Sequence, residues 1–157
     1  ILNYIENIAG LKLKDPIEEA KASSILQSAQ ELFLPLNPAV NFAIGDDFKK
    51  RRDDMKPFLM SRFEDLEKIL KSNEMKFFID DTPRACDFAA FHHLDLSKKL
   101  DDSVIKKFPR LEEFLKDINS IDTIKNYLSK RPELIDVSIE PKLVINGKAH
   151  STGTTKT

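Results

Sequence analysis

The stretch Phe77-Phe78-Ile79-Asp80-Asp81-Thr82-Pro83-Arg84-Ala85-Cys86-Asp87-Phe88-Ala89-Ala90-Phe91 is written as a helix start, and the fold is read from it. Apolar residues run up to two carboxylates. Thr82 then offers an oxygen that can accept from the first free amides of a helix, and Pro83 suits the first helical position because its missing N–H is not needed there. The sequence predicts a helix from Arg84 to Leu96 with Thr82 as its cap. Asp87 adds a carboxylate near the positive end of the helix dipole, where it can reach back to an unpaired amide. Thr82 and Asp87 are therefore read as structural caps rather than catalytic groups.

On either side of this stretch the chain is punctuated as an all-α protein. The four glycines, at 10, 45, 147 and 153, fall outside the strongly periodic segments. Ile1, Leu2, Ile5 and Ile8 form the stripe of a short first helix that Gly10 ends. Asp15 and Pro16 open a second helix, which carries Ile25, Ala29, Leu32, Phe33 and Leu36 before Pro35 and Pro38 kink or break it. Pro57 opens the next, with Leu59, Phe63, Leu66, Ile69 and Leu70 on its apolar side and Arg62, Glu64, Asp65, Glu67 and Lys68 facing water. Phe108-Pro109 starts another with Leu111, Phe114, Leu115 and Ile118, and a last helix spans about Asp122 to Lys130, closed by Arg131-Pro132. From Pro132 onward mostly irregular chain is expected, with Ser151 to Thr157 disordered.

At 157 residues the chain is long enough to bury roughly two-thirds of its unfolded surface in one domain. Its 25 basic and 26 acidic side chains nearly cancel, so no net field singles out nucleic acid or membrane. Lys49-Lys50-Arg51-Arg52 is answered at once by Asp53-Asp54 and reads as a solvated face. Cys86 is the single cysteine, which excludes an intramolecular disulfide and suits a reducing cytosol; it reads as buried and inert. No apolar run approaches the ~20 residues that span a bilayer, and no signal pattern opens the chain. His92-His93 are adjacent and point apart on a helix, so one packed and one exposed histidine is expected rather than a metal site. His150 sits in the tail.

The segment around Phe78, Asp81 and Asp87-Phe88 resembles the helix start in the C-terminal domain of cytosolic glutathione transferases. There a Phe-x-Gly-Asp turn precedes Ser/Thr-x-x-Asp and an apolar helix. Asp80 stands where that family usually has Gly, and Arg84 at the usual Ser/Thr cap, which Arg cannot replace because it has no acceptor oxygen. Phe108-Pro109-Arg110-Leu111 resembles the family's Phe-Pro-x-Leu segment, and Ile124-Lys125-Asn126-Tyr127-Leu128 its closing helix. The tail from Pro141 to Lys148 is similar, more weakly, to mu-class tails.

The resemblance, nearest to the mu and sigma classes, implies a helical bundle of about five helices over residues 14–131, followed by an irregular tail over 132–157. Ile1-Leu2-Asn3-Tyr4-Ile5 resembles the start of the helix that ends the family's thioredoxin-like domain, so residues 1–13 are expected to be the last helix of a domain otherwise absent. In the family that domain activates the glutathione thiol, and the helical domain supplies the second substrate's pocket. The implied function is electrophile binding and dimerisation within a cytoplasmic enzyme that conjugates glutathione to hydrophobic electrophiles. Glutathione enters as co-substrate, no further cofactor is implied, and no catalytic residue lies in this chain.

By the same resemblance Glu31 aligns with an acid that reaches across a homodimer to the amino group of glutathione. Leu34 and Pro38, three and seven positions on, are expected to line the mouth of the electrophile pocket. Sigma-like members carry further acids there, where this chain has Gln27 and Gln30. The alternative is a non-catalytic, transferase-like interaction module in a larger assembly, separated from the enzyme by copurification and by failure to bind glutathione.

Overall fold

A computed structural model describes residues 1–41, 43, 45–130, 135–136, 142–145 and 148–151. Helix α1 (Leu2–Ile8) stops before Gly10, whose φ of +70° is the left-handed conformation that glycine adopts at low cost. Helix α2 (Pro16–Glu31) starts as its sequence dictates: Pro16 is the first helical residue and the Ile17 amide donates to Asp15 Oδ1 at 2.9 Å. The break that the prolines were expected to impose comes at Leu32, and α3 (Phe33–Asn41) then runs through Pro38 as a separate helix. Phe33, read from its spacing as a core residue of that stripe, is half exposed, while Leu32 and Leu36 on either side of it are buried.

Pro57 does not open a helix. It lies within α4 (Gly45–Ser72), which begins twelve residues earlier and keeps its apolar stripe through Phe48 and Met55 into Leu59, Phe63, Leu66 and Leu70. Asp46 and Asp47 sit in the first turn, where the helix dipole favours anions. The basic run is answered along the same helix, Lys49 by Asp46 at 3.0 Å and Arg51 by Asp47 at 2.9 Å. Lys56 crosses to Asp101 Oδ2 at 2.7 Å, tying α4 to the N-cap of the short helix α6 (Asp102–Ile105).

Helix α5 (Ala85–Leu100) is central: it packs on α2, on α6 and on α7 (Pro109–Ser120), while α4 also packs on α7. Helix α8 (Asp122–Lys130) closes the bundle. Fully buried Phe63, Phe114, Leu36, Leu66, Leu94, Leu111 and Ile118 fill the space between these helices. Aromatic rings lock the centre edge to face, Phe63 on Phe108 at 5.7 Å, with Phe78 tilted on Phe114 at 5.1 Å.

Beyond the bundle the chain is not wholly irregular. Ile135–Asp136 (β1), Lys142–Ile145 (β2) and Lys148–Ser151 (β3) form an antiparallel sheet in the order β1-β2-β3, with Ile145 opposite Lys148. The sequence carries the signal: apolar Leu143-Val144-Ile145 is followed by Asn-Gly, the strongest two-residue hairpin cue. The expected closure at Arg131-Pro132, and the tail from Thr152 to Thr157, lie outside the described residues.

Glu67 overturns its sequence reading as a water-facing residue. It is buried, and its two carboxylate oxygens accept from the Arg110 amide at 3.2 Å and the Leu111 amide at 2.9 Å. Helix α7 has Phe108 as N-cap, with no acceptor side chain, so α4 supplies the missing oxygen from across the core. Glu67→Ala should lower stability by about 2–4 kcal/mol in chemical denaturation, because the buried Leu111 amide and the half-buried Arg110 amide lose their partner. Lys68→Ala, which removes only an exposed pair at 4.0 Å, should change stability by less than ~0.5 kcal/mol.

Candidate functional site

Two constellations stand out, one at the start of α5 and one where α2, α3, α4 and α5 meet. In the first, Asp87 is fully buried and accepts from two backbone amides, that of Phe78 on Oδ1 at 2.9 Å and that of Arg84 on Oδ2 at 2.8 Å, and from the Cys86 thiol at 3.7 Å. Burial pushes its carboxyl up to about 6 while these backbone donors pull it down. Thr82 is not the cap. The N-cap is Arg84, in extended conformation, and the Thr82 amide itself donates to Asp80 Oδ1 at 2.9 Å. Asp80 and Asp81, which accepts from the Lys76 amide at 2.9 Å, keep the chain in a loop two residues longer than the Thr-Pro pair implies.

That loop is pinned throughout. Asn73 Nδ2 donates to the carbonyls of Phe77 and Phe78, and Arg110 Nη2 donates to those of Met75 and Lys76 at 2.7 Å each. Cys86 is buried beside Asp87, and its thiol pKa is raised by that burial and by the neighbouring carboxylate. A thiol held protonated is a poor nucleophile, so this constellation is scaffold.

In the second constellation Glu31 ends α2 and pairs with Arg62 of α4 at 3.0 Å, leaving its carboxylate half exposed. The Arg62 guanidinium also lies 5.4 Å from the Phe58 ring centroid. Leu34 and Pro38, one turn apart on α3, share a face; Leu34 is 75% exposed and Pro38 half-buried. Phe33 stands edge-on to His93 of α5 at 6.4 Å. The structure thus keeps Glu31, Leu34 and Pro38 together at the end of α2 and along α3, and adds Arg62, paired with Glu31, Phe58 beside that guanidinium, and Phe33, edge-on to His93.

His93 is buried and His92 exposed. Burial, and secondarily the neighbouring His92, lowers the His93 pKa to about 4, and its Nδ1 has no hydrogen-bond partner. Among the described residues no group of three or more His, Cys, Asp or Glu side chains is arranged to hold a metal ion. None of the described helices is long and apolar enough to cross a membrane. A polar cleft of about 230 Å³ lies between α1, α2 and the start of α5, with Tyr4, Glu6, Lys12 and Cys86 among its walls. A second, of about 340 Å³ and lined by Ile25, Ile69 and Phe78, lies between α2 and the end of α4.

Residues 36–131 match the family model described as glutathione S-transferase, C-terminal domain. The chain is 26% identical over 137 residues to probable glutathione S-transferase 6 of Caenorhabditis elegans, covering 85% of this chain and 66% of that relative. Over 69 residues it is 32% identical to a glutathione S-transferase of Plasmodium yoelii yoelii, 44% of this chain and 33% of that one. In fold it is similar to monomeric Na-GST-3 of the hookworm Necator americanus, with a TM-score of 0.74 at 21% identity, over 83% of this chain and 66% of that structure. The chain therefore spans just under two-thirds of the relatives it matches along most of its own length.

The depressed His93 pKa has a definite sign. The unfolded chain takes up a proton near pH 6.5 and the folded one only near 4, so stability is fully present above about 6.5 and falls as the pH drops towards 4. The raised Asp87 pKa acts oppositely, adding stability as the pH falls from about 6 towards 3.8. Comparison with His93→Gln isolates the first effect: in melts between pH 7 and 4 the parent should lose stability relative to the variant. Parallel profiles would contradict it.

Proposed function

The chain belongs to the glutathione S-transferase C-terminal domain family, and on that premise we propose that it is the helical, electrophile-binding half of an enzyme joining glutathione to hydrophobic electrophiles. The observation that carries the reading is the family match itself, which covers the bundle from Leu36 through α8. A thioredoxin-like domain would lower the thiol pKa of glutathione through a hydroxyl hydrogen bond. The helical domain would hold the electrophile beside the thiolate, turning an encounter into an oriented reaction.

Leu34, with Phe33 and Pro38, is the mouth of the apolar pocket in this reading, and the solvent-facing positions of Leu34 and Phe33 support it. Glu31 would reach the glutathione amino group across a dimer; its half-exposed carboxylate supports that role, with Arg62 setting its direction. The exposed apolar side of α1, from Tyr4 to Ile8, supports its assignment as the end of a thioredoxin-like domain. Kinship to the mu and sigma classes and a cytosolic location belong to the same proposal, as does glutathione as the one co-substrate.

The test fuses this chain in frame behind a glutathione-binding thioredoxin-like domain and follows conjugation of 1-chloro-2,4-dinitrobenzene. Conjugation is expected, and Leu34→Ala should raise KM for that electrophile by about tenfold, with stability within ~0.5 kcal/mol of the parent. Absence of conjugation, with recovery of the chain in a larger assembly that does not bind immobilised glutathione, would favour the interaction module.

A further inference from the structure

Glu18, Lys21, Ser24 and Ile25 are spaced three or four residues apart on α2, so they share one face of that helix, and this face lines the cleft of about 340 Å³ between α2 and the end of α4. The apolar part of the cleft is Ile25 and Phe78, both buried, with Ile69 and Ile79 half-buried beside them. Glu18, Lys21 and Ser24 are exposed, and none of them bonds to another described side chain. Glu18 and Lys21 have the same order and spacing as Asp46–Lys49 and Asp53–Lys56, which pair at 3.0 and 3.1 Å, yet they make no ion pair. The opposite wall is already fixed. Asn73 Nδ2 donates to the carbonyls of Phe77 and Phe78, the Phe78 amide donates to Asp87, and Ser72 Oγ donates to the Ile69 carbonyl at 2.8 Å. A wall ordered in advance loses little freedom when a ligand binds.

We propose that this cleft binds a small zwitterion with an apolar side chain, of the chemical class of the free α-amino acids. Glu18 accepts from the ammonium of the ligand, while Lys21 and the Ser24 hydroxyl donate to its carboxylate. Three helical residues rise about 4.5 Å, which suits two charges carried on one carbon. The ligand's apolar side chain enters between Ile25, Ile69 and Phe78, where its surface leaves water. Small-molecule sites run from roughly 300 to 1,000 Å³, so this volume limits the occupant to a small compound. A ligand with a single charge would meet only one of the two unpaired side chains. None of Glu31, Phe33, Leu34 and Pro38 lines the cleft, so the proposal does not rest on the electrophile reading.

Phenylalanine is the probe, titrated into the whole chain in mildly acidic buffer and followed by the NMR shifts of the Ser24, Ile25, Asn73 and Ile79 amides. Millimolar affinity is expected. Phenylalaninamide, which lacks the carboxylate, and 3-phenylpropanoate, which lacks the ammonium, should each bind about fivefold more weakly, the worth of one exposed ion pair. Glu18→Gln should erase the preference over 3-phenylpropanoate, and Lys21→Met the preference over phenylalaninamide. Both variants should melt with the parent, because both side chains are exposed and unpaired. Lys50→Met, near the start of α4, should bind like the parent. No shift at those four amides, equal binding of the three compounds, or equal weakening by Lys50→Met would overturn the proposal.

Discussion

The carboxylate of Asp87 is the constraint on which the arrangement of the bundle depends. It sits at zero exposure between the loop and the helix, and it accepts from one amide of each. Through the Phe78 amide it fixes the ring that tilts onto Phe114, and so sets the loop against α7. Through the Arg84 amide it starts α5, the helix against which α2, α6 and α7 pack. Burying an anion is costly, and burial raises its pKa to about 6 even though two charge-assisted bonds of about 1.5–3 kcal/mol each offset part of that cost.

The same solution recurs at other helix starts. Glu67 of α4 supplies the oxygens for α7, Glu6 of α1 supplies one for α5, and Asp101 caps α6 while holding Lys56 of α4. In each case the orphan amides of one helix are met by a carboxylate that belongs to, or also bonds, a second element, so capping and tertiary packing are a single interaction. The Asp101 carboxyl illustrates the balance: burial would raise its pKa, yet the bonds from Lys56 and Ser103 hold it down at about 2.

What the sequence made legible follows from range. Asp15-Pro16, Phe108-Pro109 and Asp87 act on residues within one turn, and their helices start within a residue or two of where local chemistry puts them. Thr82-Pro83 misled because a good cap and a good first residue were both present, while Asp80 and Asp81 captured the neighbouring amides and kept the chain extended as far as Arg84. Glu67 was illegible as a core residue because its partners lie 43 and 44 positions away. Phe33 was misplaced because spacing alone does not separate the edge of a stripe from its centre: Ile25, Ala29, Leu32 and Leu36 are buried, while Phe33 is half exposed beside His93. At the candidate site, Glu31, Leu34 and Pro38 followed from family resemblance; Arg62 and Phe58 needed the fold, since nothing local distinguishes them from a solvated helix face.

Scaffold and candidate site thus draw on different residues of one bundle. Membership of the glutathione S-transferase C-terminal domain family is written in the buried start of α5, and the proposed electrophile contacts lie at the junction of α2 and α3. The most direct measurement of the scaffold's dependence on Asp87 is amide hydrogen exchange by NMR in Asp87→Asn. That side chain keeps one acceptor oxygen where two are needed. The Phe78 or the Arg84 amide should lose its protection while Leu111, capped by Glu67, keeps its own; full protection of both in the variant would contradict the account.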